Sequence, residues 1–386
     1  MSAMQFPIGA VECFNKKRRA FMWSGQEKTT GAQCLIAWDR VCQSKENGGL
    51  GIKQLGMQNQ CLLLKLIHRL FHPGDSSWAA WAREQVSLTT LEGDVDGDHW
   101  TALRSLLPVY QSITTVQIGN GRSTAFWEDN WLDDCALNVS YPALFTHVCR
   151  PGASVHDVLE HGLRHFLVPR LSTVASNELA ALEALLTNIT LTNDEDERVC
   201  PLAAPNGQLK SAPLYKLAMQ NEGEPCNFFE FVWHNRAPPR IQFFAWLLVH
   251  GRIQCKTNLL TKHVVDNDVC DICHSSAETP DHIISQCPFA ASFWERIGFS
   301  AHNMPQVAEL WTVSLPAHIL RQHSDTFLLL CCWQLWKHRH DVVFRHMDPS
   351  LPRLLRSCRD EAMLWRCRLP IHDRGVVDNW CVMFQM

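Results

Sequence analysis

Apolar positions along this chain recur mostly at helical spacing. From Leu55 to Phe71, the residues Cys61, Leu62, Leu63, Leu64, Leu66, Ile67 and Leu70 leave little polar face. A helix that is apolar on most sides belongs in a core. Pro73-Gly74 ends it, since proline has no amide hydrogen and glycine tolerates the turn. Ser76-Ser77 can cap a following helix, on which Trp78 and Trp81, three apart, share one face. Further helices are predicted over 98–107 and 177–186. The period then shortens to two. Thr115-Val116-Gln117-Ile118-Gly119, Asn120-Gly121 and residues 122–127 read as strand, turn and strand, because Asn-Gly accepts positive φ at both turn positions. A weaker hairpin is predicted over 199–209 around Asn206-Gly207, where Pro201 and Pro205 disfavour central pairing. The acidic run Asn193-Asp194-Glu195-Asp196-Glu197 reads as a loop and a boundary. From Ala212 onward the pattern is helical again, with one interruption near 270–287. The fold expected is mainly α with short β-hairpins.

Composition narrows the class. In 386 residues, 46% are apolar and 19% charged, which gives two or three domains of roughly 150 residues with real cores and argues against disorder. The net charge of −4 provides no global basic field, so any nucleic-acid affinity must come from local patches. The 17 cysteines are odd in number and scattered. No apolar run follows the basic cluster Lys16-Lys17-Arg18-Arg19, so no secretory leader is expected. The thiols are therefore expected reduced, in the nucleus or cytoplasm and not secreted. The four-residue basic run itself reads equally as a nuclear import signal, a phosphate patch or a solvated helix face. The apolar run 327–333 falls far short of a membrane span of about 20 residues, so no membrane partner is expected.

One cluster carries chemistry. Cys270-Asp271-Ile272-Cys273 is followed by His282 and Cys287, the pattern C-x2-C-x8-H-x4-C. Zinc takes four ligands in a tetrahedron, and a C-x2-C turn presents two thiolates from one knuckle. The competing reading is four unrelated reduced side chains in a chain rich in cysteine and histidine. Three thiolates and an imidazole would fill the shell and leave no place for a hydrolytic water, so the zinc is expected to be structural. The neighbours His263 and His274 read as exposed side chains. Upstream, residues 240–262 hold Arg240, Arg252, Lys256 and Lys262 and no acid, a local +4 in a chain of net −4. These four are the candidate nucleic-acid contacts.

The stretch Pro238-Pro239-Arg240-Ile241-Gln242-Phe243-Phe244-Ala245-Trp246-Leu247-Leu248, then Gly251-Arg252-Ile253, the cysteine–histidine cluster with Glu278-Thr279-Pro280-Asp281-His282 inside it, and Phe293-Trp294 closely resembles the reverse-transcriptase zinc-binding domain. That domain follows the polymerase in plant LINE-type non-LTR retrotransposons. Trp38-Asp39-Arg40-Val41-Cys42 with Gly48-Gly49-Leu50-Gly51-Ile52, the run from Gly119 to Leu132, and Trp333-Gln334-Leu335-Trp336-Lys337-His338-Arg339-His340-Asp341-Val342-Val343-Phe344 are similar to other recurrent stretches of those elements. The resemblance runs from about residue 10 to about 345. The chain departs from it in having no Trp between Trp131 and Trp233, and Leu209 where an aromatic is usual.

The resemblance implies a multi-segment helical protein with a small zinc knuckle. Its segments would be a helical post-thumb connection (1–110), a β-hairpin segment (111–150), a linker with a helix and a weak hairpin (151–215), the zinc-binding domain (216–300) and a C-terminal helical region (301–386). It also implies a non-catalytic module that binds RNA or DNA. Polymerase chemistry needs paired carboxylates on a hairpin for two magnesium ions. The Asp133-Asp134 pair follows the predicted hairpin instead of sitting in its turn, so no enzyme activity is expected. A zinc-stabilised protein-interaction scaffold and a non-functional retroelement relic are the alternatives. Oligomeric state and the choice between RNA and DNA are not legible in the residues.

Overall fold

The computed structural model describes residues 4–133, 135–220, 223–317 and 319–385, and the chain divides into two units. One unit comprises Met1–Lys16 and Lys53–Glu222, the other Lys17–Ile52 and Gly223–Met386. Among the described residues the fold is mainly helical, with a single two-stranded sheet and a small cysteine–histidine knuckle. No helix in them is long and apolar enough to cross a membrane.

The first unit has two cores. In one, helix Leu55–Phe71 packs on Asp98–Ser112, Ser77–Gln85 and Ser211–Gln220 around Leu63, Ile67, Leu103 and Tyr110. Its bounds follow from its apolar run and from Pro73. Ser76 caps the next helix as its position suggests, accepting from the Ala79 amide. The other core gathers Phe126, Trp127, Leu144 and Val155 against helix Thr173–Leu186.

Here the hairpin expectation is corrected. Strand Thr115–Gln117 does pair, but antiparallel with Glu197–Val199, not with residues 122–127. The cause is Asp196. Its carboxylate accepts from the Gly119 and Gly121 amides at 2.9 and 2.7 Å, from the Ser123 amide at 3.0 Å, and from the Ser123 and Thr124 hydroxyls. The loop therefore wraps around a carboxylate from about 75 residues away instead of closing on itself. Gly121 has φ +68°, and a Cβ there would sit 2.8 Å from the His156 amide nitrogen. The acidic run is accordingly no boundary. Asp196 holds the loop, and Arg198 forms a buried two-pronged ion pair with Asp129 at 2.6 and 2.8 Å. The second hairpin reduces to one bridge, Ala203 with Leu209, around a turn at Asn206-Gly207. Asp133 lies in an exposed, irregular stretch; Asp134 lies outside the described residues.

The second unit is built on one core. Helix Ser324–Arg345 buries Phe327, Leu328, Leu330 and Leu335 against helices Pro239–Val249 and Leu351–Trp365, and Val376–Met383 covers the latter. Helix Pro239–Val249 starts on a proline, whose missing amide hydrogen costs nothing at that position. It ends in a Schellman motif. Gly251, at φ +63°, lets its own amide reach the Leu248 carbonyl and the Arg252 amide reach Leu247, each at 2.8 Å. The buried Trp246 indole donates to the Gly48 carbonyl at 2.9 Å, tying in the early segment. That turn requires glycine at 49, where a Cβ would lie 2.1 Å from the Gln43 carbonyl oxygen.

Candidate functional site

The knuckle begins with a bridge between Val269 and Ala277, which closes the loop that carries the first two cysteines. The Cys270 amide donates to the Ser276 carbonyl and the His274 amide to the Cys270 carbonyl, both at 2.9 Å. His274 takes φ +55°, which turns the chain back on itself. The sulfurs accept local hydrogen bonds: Cys270 Sγ from the Ile272 amide at 3.4 Å and Cys273 Sγ from the Ser275 hydroxyl at 3.3 Å. Such bonds stabilise sulfur that carries negative charge.

The other half comes from helix geometry. Residues His282–Gln286 form a π-turn, in which the Cys287 amide donates to the His282 carbonyl at 2.8 Å. A π-turn advances five residues, so His282 and Cys287, five apart, fall on the same side. The x4 spacing of the motif therefore has a direct structural reading. The widened turn frees a carbonyl at Ile284, and the buried Trp294 indole donates to it at 2.6 Å. Helix Pro288–Arg296 follows at once, with Cys287 as its N-cap.

These pieces bring one ligand atom from each of Cys270, Cys273, His282 and Cys287 within 4.8 Å of one another. Nε2 of His282 lies 3.3 Å from Cys273 Sγ. With metal–sulfur distances of about 2.3 Å and metal–nitrogen distances of about 2.0 Å, a tetrahedron has edges of roughly 3.5–3.8 Å. The four atoms fit that figure with small adjustment. Cys270, His282 and Cys287 are buried and Cys273 is half-buried. Charge already gathers there. The Cys270 thiol is held well below its ordinary value, first by its hydrogen bond with Cys287 and, against burial, by His282. The same contact pushes Cys287 up. Burial raises Cys273, but hydrogen bonds from Ser275 and His282 bring it below its ordinary value. His282 is raised by Cys270 first and then, against burial, by Cys273. Four soft donors that face one another in this way share protons; a dication between them would take the protons' place.

The knuckle is anchored by a residue that spacing arguments do not single out. Glu278, fully buried inside the loop, forms a two-pronged ion pair with Arg339 of helix Ser324–Arg345, at 2.6 Å to Nη2 and 3.1 Å to Nε. Arg339 is also buried. Glu278 Oε1 accepts the Lys256 amide as well, at 2.9 Å, which caps helix Lys256–Leu260. Phe289 stacks on His338 at 4.8 Å, so the helix after the knuckle is pinned to the same long helix. No sequence signal singles Arg339 out, since the same helix also carries Lys337, Asp341 and Arg345.

The four basic candidates have different surroundings. Lys256 is three-quarters or more covered, and its ammonium donates to Asp271 at 2.6 Å and to the Val269 carbonyl at 2.8 Å, so it struts the knuckle. Arg240 is exposed, 3.3 Å from Glu361, with its guanidinium 6.0 Å from the Trp333 ring. Arg252 is exposed, and Lys262, half-buried, is held below the usual lysine range by burial and then by the Arg252 charge. Those two cations are therefore neighbours. His263 and His274 are exposed and stand outside the four-residue cluster. Of the early basic run, Lys16 and Lys17 are exposed, and Arg18 lies 5.3 Å from the Trp38 ring.

Comparison with known proteins agrees with this geometry. Residues 210–294 match the family described as zinc-binding in reverse transcriptase. The Arabidopsis thaliana protein named "Putative ribonuclease H protein At1g65750" is 22% identical over 316 residues, which cover 77% of this chain and 49% of that relative. The chain thus spans about half the length of that relative. The Arabidopsis thaliana protein named "Uncharacterized mitochondrial protein AtMg00310" is 29% identical over 147 residues, covering 34% of this chain and 95% of the relative. No solved structure matches. The chain carries a domain of the family of zinc-binding domains in reverse transcriptases, with Cys270, Cys273, His282 and Cys287 as its candidate metal-holding set.

Proposed function

We propose that this chain is a non-catalytic nucleic-acid-binding module whose second unit is organised by one structural zinc ion, and that it derives from a retrotransposon reverse-transcriptase polyprotein. The observation that carries the reading is the closed donor set. Three thiolates and one imidazole complete a tetrahedron, so the metal orders the knuckle and leaves no position for a reacting water. Zinc suits soft sulfur donors in tetrahedral geometry better than magnesium or calcium does. The family match supports zinc as the ion. Nucleic acid as partner is supported by residues 240–262, which hold four cations and no acid.

Lys256 is committed to Asp271, so Arg240, Arg252 and Lys262 are left to contact phosphate. Three phosphate contacts give a slope of log affinity against log salt of about −2 to −3. The test measures binding of the zinc-loaded chain to RNA and DNA oligonucleotides across a salt series. Arg252→Ala with Lys262→Ala should reduce the slope by about 1.5 and weaken all sequences alike, since phosphate contacts position without specifying. Salt-independent affinity, or none, together with a protein partner recovered in its place, would overturn the reading.

A further inference from the structure

We propose that one face of helix Ser324–Arg345 is a stacking platform for the unpaired bases of a single-stranded nucleic acid; this rests on the nucleic-acid reading above and names its binding mode. A groove of about 500 Å³ runs along that helix and is lined by Trp333, Trp336, His340 and Phe344. Trp336, His340 and Phe344 are spaced at i, i+4 and i+8 and so form one row. Ring centroids are 4.3 Å apart from Trp336 to His340 and 5.3 Å from His340 to Phe344. Trp333 and Trp336 are half-buried, and Phe344 is 64% exposed at the solvent end of the row. A base offers such rings a flat partner that any sequence can supply.

The charges beside the row are those a strand needs. Arg240 lies by Trp333, and Lys337 and Arg345 line the groove itself. Their acidic neighbours are Glu361, 3.3 Å from Arg240 and 3.6 Å from Lys337, and Asp341, 2.9 Å from Arg345. Three cations thus face two carboxylates. The Arg345–Asp341 pair is solvent-facing and weak, so a phosphate can take over Arg345 at little cost, whereas Glu361 is buried and shared by Arg240 and Lys337, so one of these can turn to a phosphate while the other stays. Arg240, a candidate picked out by charge, and Lys337, which lines the groove, meet on the same carboxylate, Glu361.

Rung spacing selects the form of the strand. Neighbouring rings of the row stand 4.3 and 5.3 Å apart, the first pair edge to face and the second tilted, whereas bases within one strand of a duplex stack at about 3.4 Å. A strand that follows the row must be splayed, which pairing in a duplex forbids. The row is also braced from behind. The buried Arg339 guanidinium lies 5.5 Å from the Trp336 ring and 5.6 Å from Phe344, and Glu278 of the knuckle holds it there.

The experiment uses the full zinc-loaded chain with three fluorescent probes: an oligo(dT), an oligo(U) and a blunt DNA duplex of equal length. Both single strands should bind at least tenfold more tightly than the duplex. Phe344→Ala removes an exposed ring and should weaken single-strand binding about 5- to 100-fold, while Phe344→Trp should keep it. Lys337→Ala should lower the salt slope by about 0.7. Equal affinity for duplex and single strand, or a Phe344→Ala chain that binds as its parent does while salt dependence persists, would overturn the stacking platform and leave the nucleic-acid reading standing. Absence of binding to all three probes would overturn both.

Discussion

Arg339→Met tests whether the knuckle depends on the helix beneath it. The substitution leaves Glu278 fully buried with no countercharge, its Oε1 still bonded to the Lys256 amide. Removing one partner of a buried pair costs about 3–5 kcal/mol, because the remaining charge keeps its desolvation penalty without compensation. Glu278→Gln should cost less, since the amide oxygen can still accept from Lys256, but it strands the guanidinium of Arg339. The double variant Glu278→Met with Arg339→Met removes both charges. Apolar replacements of a buried pair are often neutral or better; here the lost cap at Lys256 adds about 1 kcal/mol. The double variant should therefore be closer to the parent than Arg339→Met alone. Two units make a single global transition unsafe to assume, so the readout is local. Zinc transfer from the loaded chain to a chromophoric chelator reports opening of the knuckle. At about 1.4 kcal/mol per factor of ten, a loss of 3 kcal/mol makes the open state over 100-fold more populated. Arg339→Met should accelerate transfer at least that much, and the double variant far less. Transfer within threefold of the parent for Arg339→Met, or strictly additive effects in the pair, would refute the coupling.

Cys273→Ser should reduce bound zinc in the full chain to well under half an equivalent by elemental analysis, while the parent holds one. Asp196→Ala should destabilise the first unit by about 2–4 kcal/mol, because it leaves the Gly119, Gly121 and Ser123 amides without their acceptor; amide exchange over 119–124 reads it. Burial raises the Asp196 carboxyl, but hydrogen bonds from Thr124, Gly121, Gly119 and Ser123 outweigh this and hold it below the ordinary 3.8. Its contribution should be complete above that value and lost as pH falls through the lower folded value. Glu128 runs the other way. Burial, then Asp129, push it up to about 7 from 4.5, so the folded state keeps a proton that the unfolded state has lost. Stability should fall as pH rises from about 4.5 to 7, and Glu128→Gln should flatten that slope and stabilise the chain above pH 7, as measured by amide exchange in the first unit.

Much of this molecule is legible in its residues because local rules suffice there. Helix Leu55–Phe71 follows from its apolar run and Pro73, the cap at Ser76 from its position, and the four-residue cluster from its spacing. What failed was partner choice. Alternation at 115–117 marks a strand but does not say what it pairs with, and the Asn120-Gly121 turn signal lost to a carboxylate delivered by Asp196. The Glu278–Arg339 pair was invisible for the same reason. Each residue sits in a recognisable stretch, but a single chain gives no measure of which distant charges meet. Lys256 shows the converse. Its charge is counted correctly, yet Asp271 takes it up within the knuckle, so local net charge overstates what a phosphate can find.

The division of the second unit into residues 17–52 and 223–386 has a consequence for synthesis. Ribosomes add about 5–20 residues per second, so the early segment waits on the order of 10–30 s while residues 53–222 are made. In that interval the Gly48 carbonyl has no Trp246 to serve, and Val41 has none of its core neighbours. The first unit is finished earlier: Asp196 and strand Glu197–Val199 close the loop at 119–124, and helix Ser211–Gln220 then packs on Leu55–Phe71. Folding on the ribosome should therefore run inside out along the chain, the middle before the flanks. In chains arrested near residue 230 the segment 17–52 should be cut readily by protease, and in chains arrested past residue 345 it should be protected.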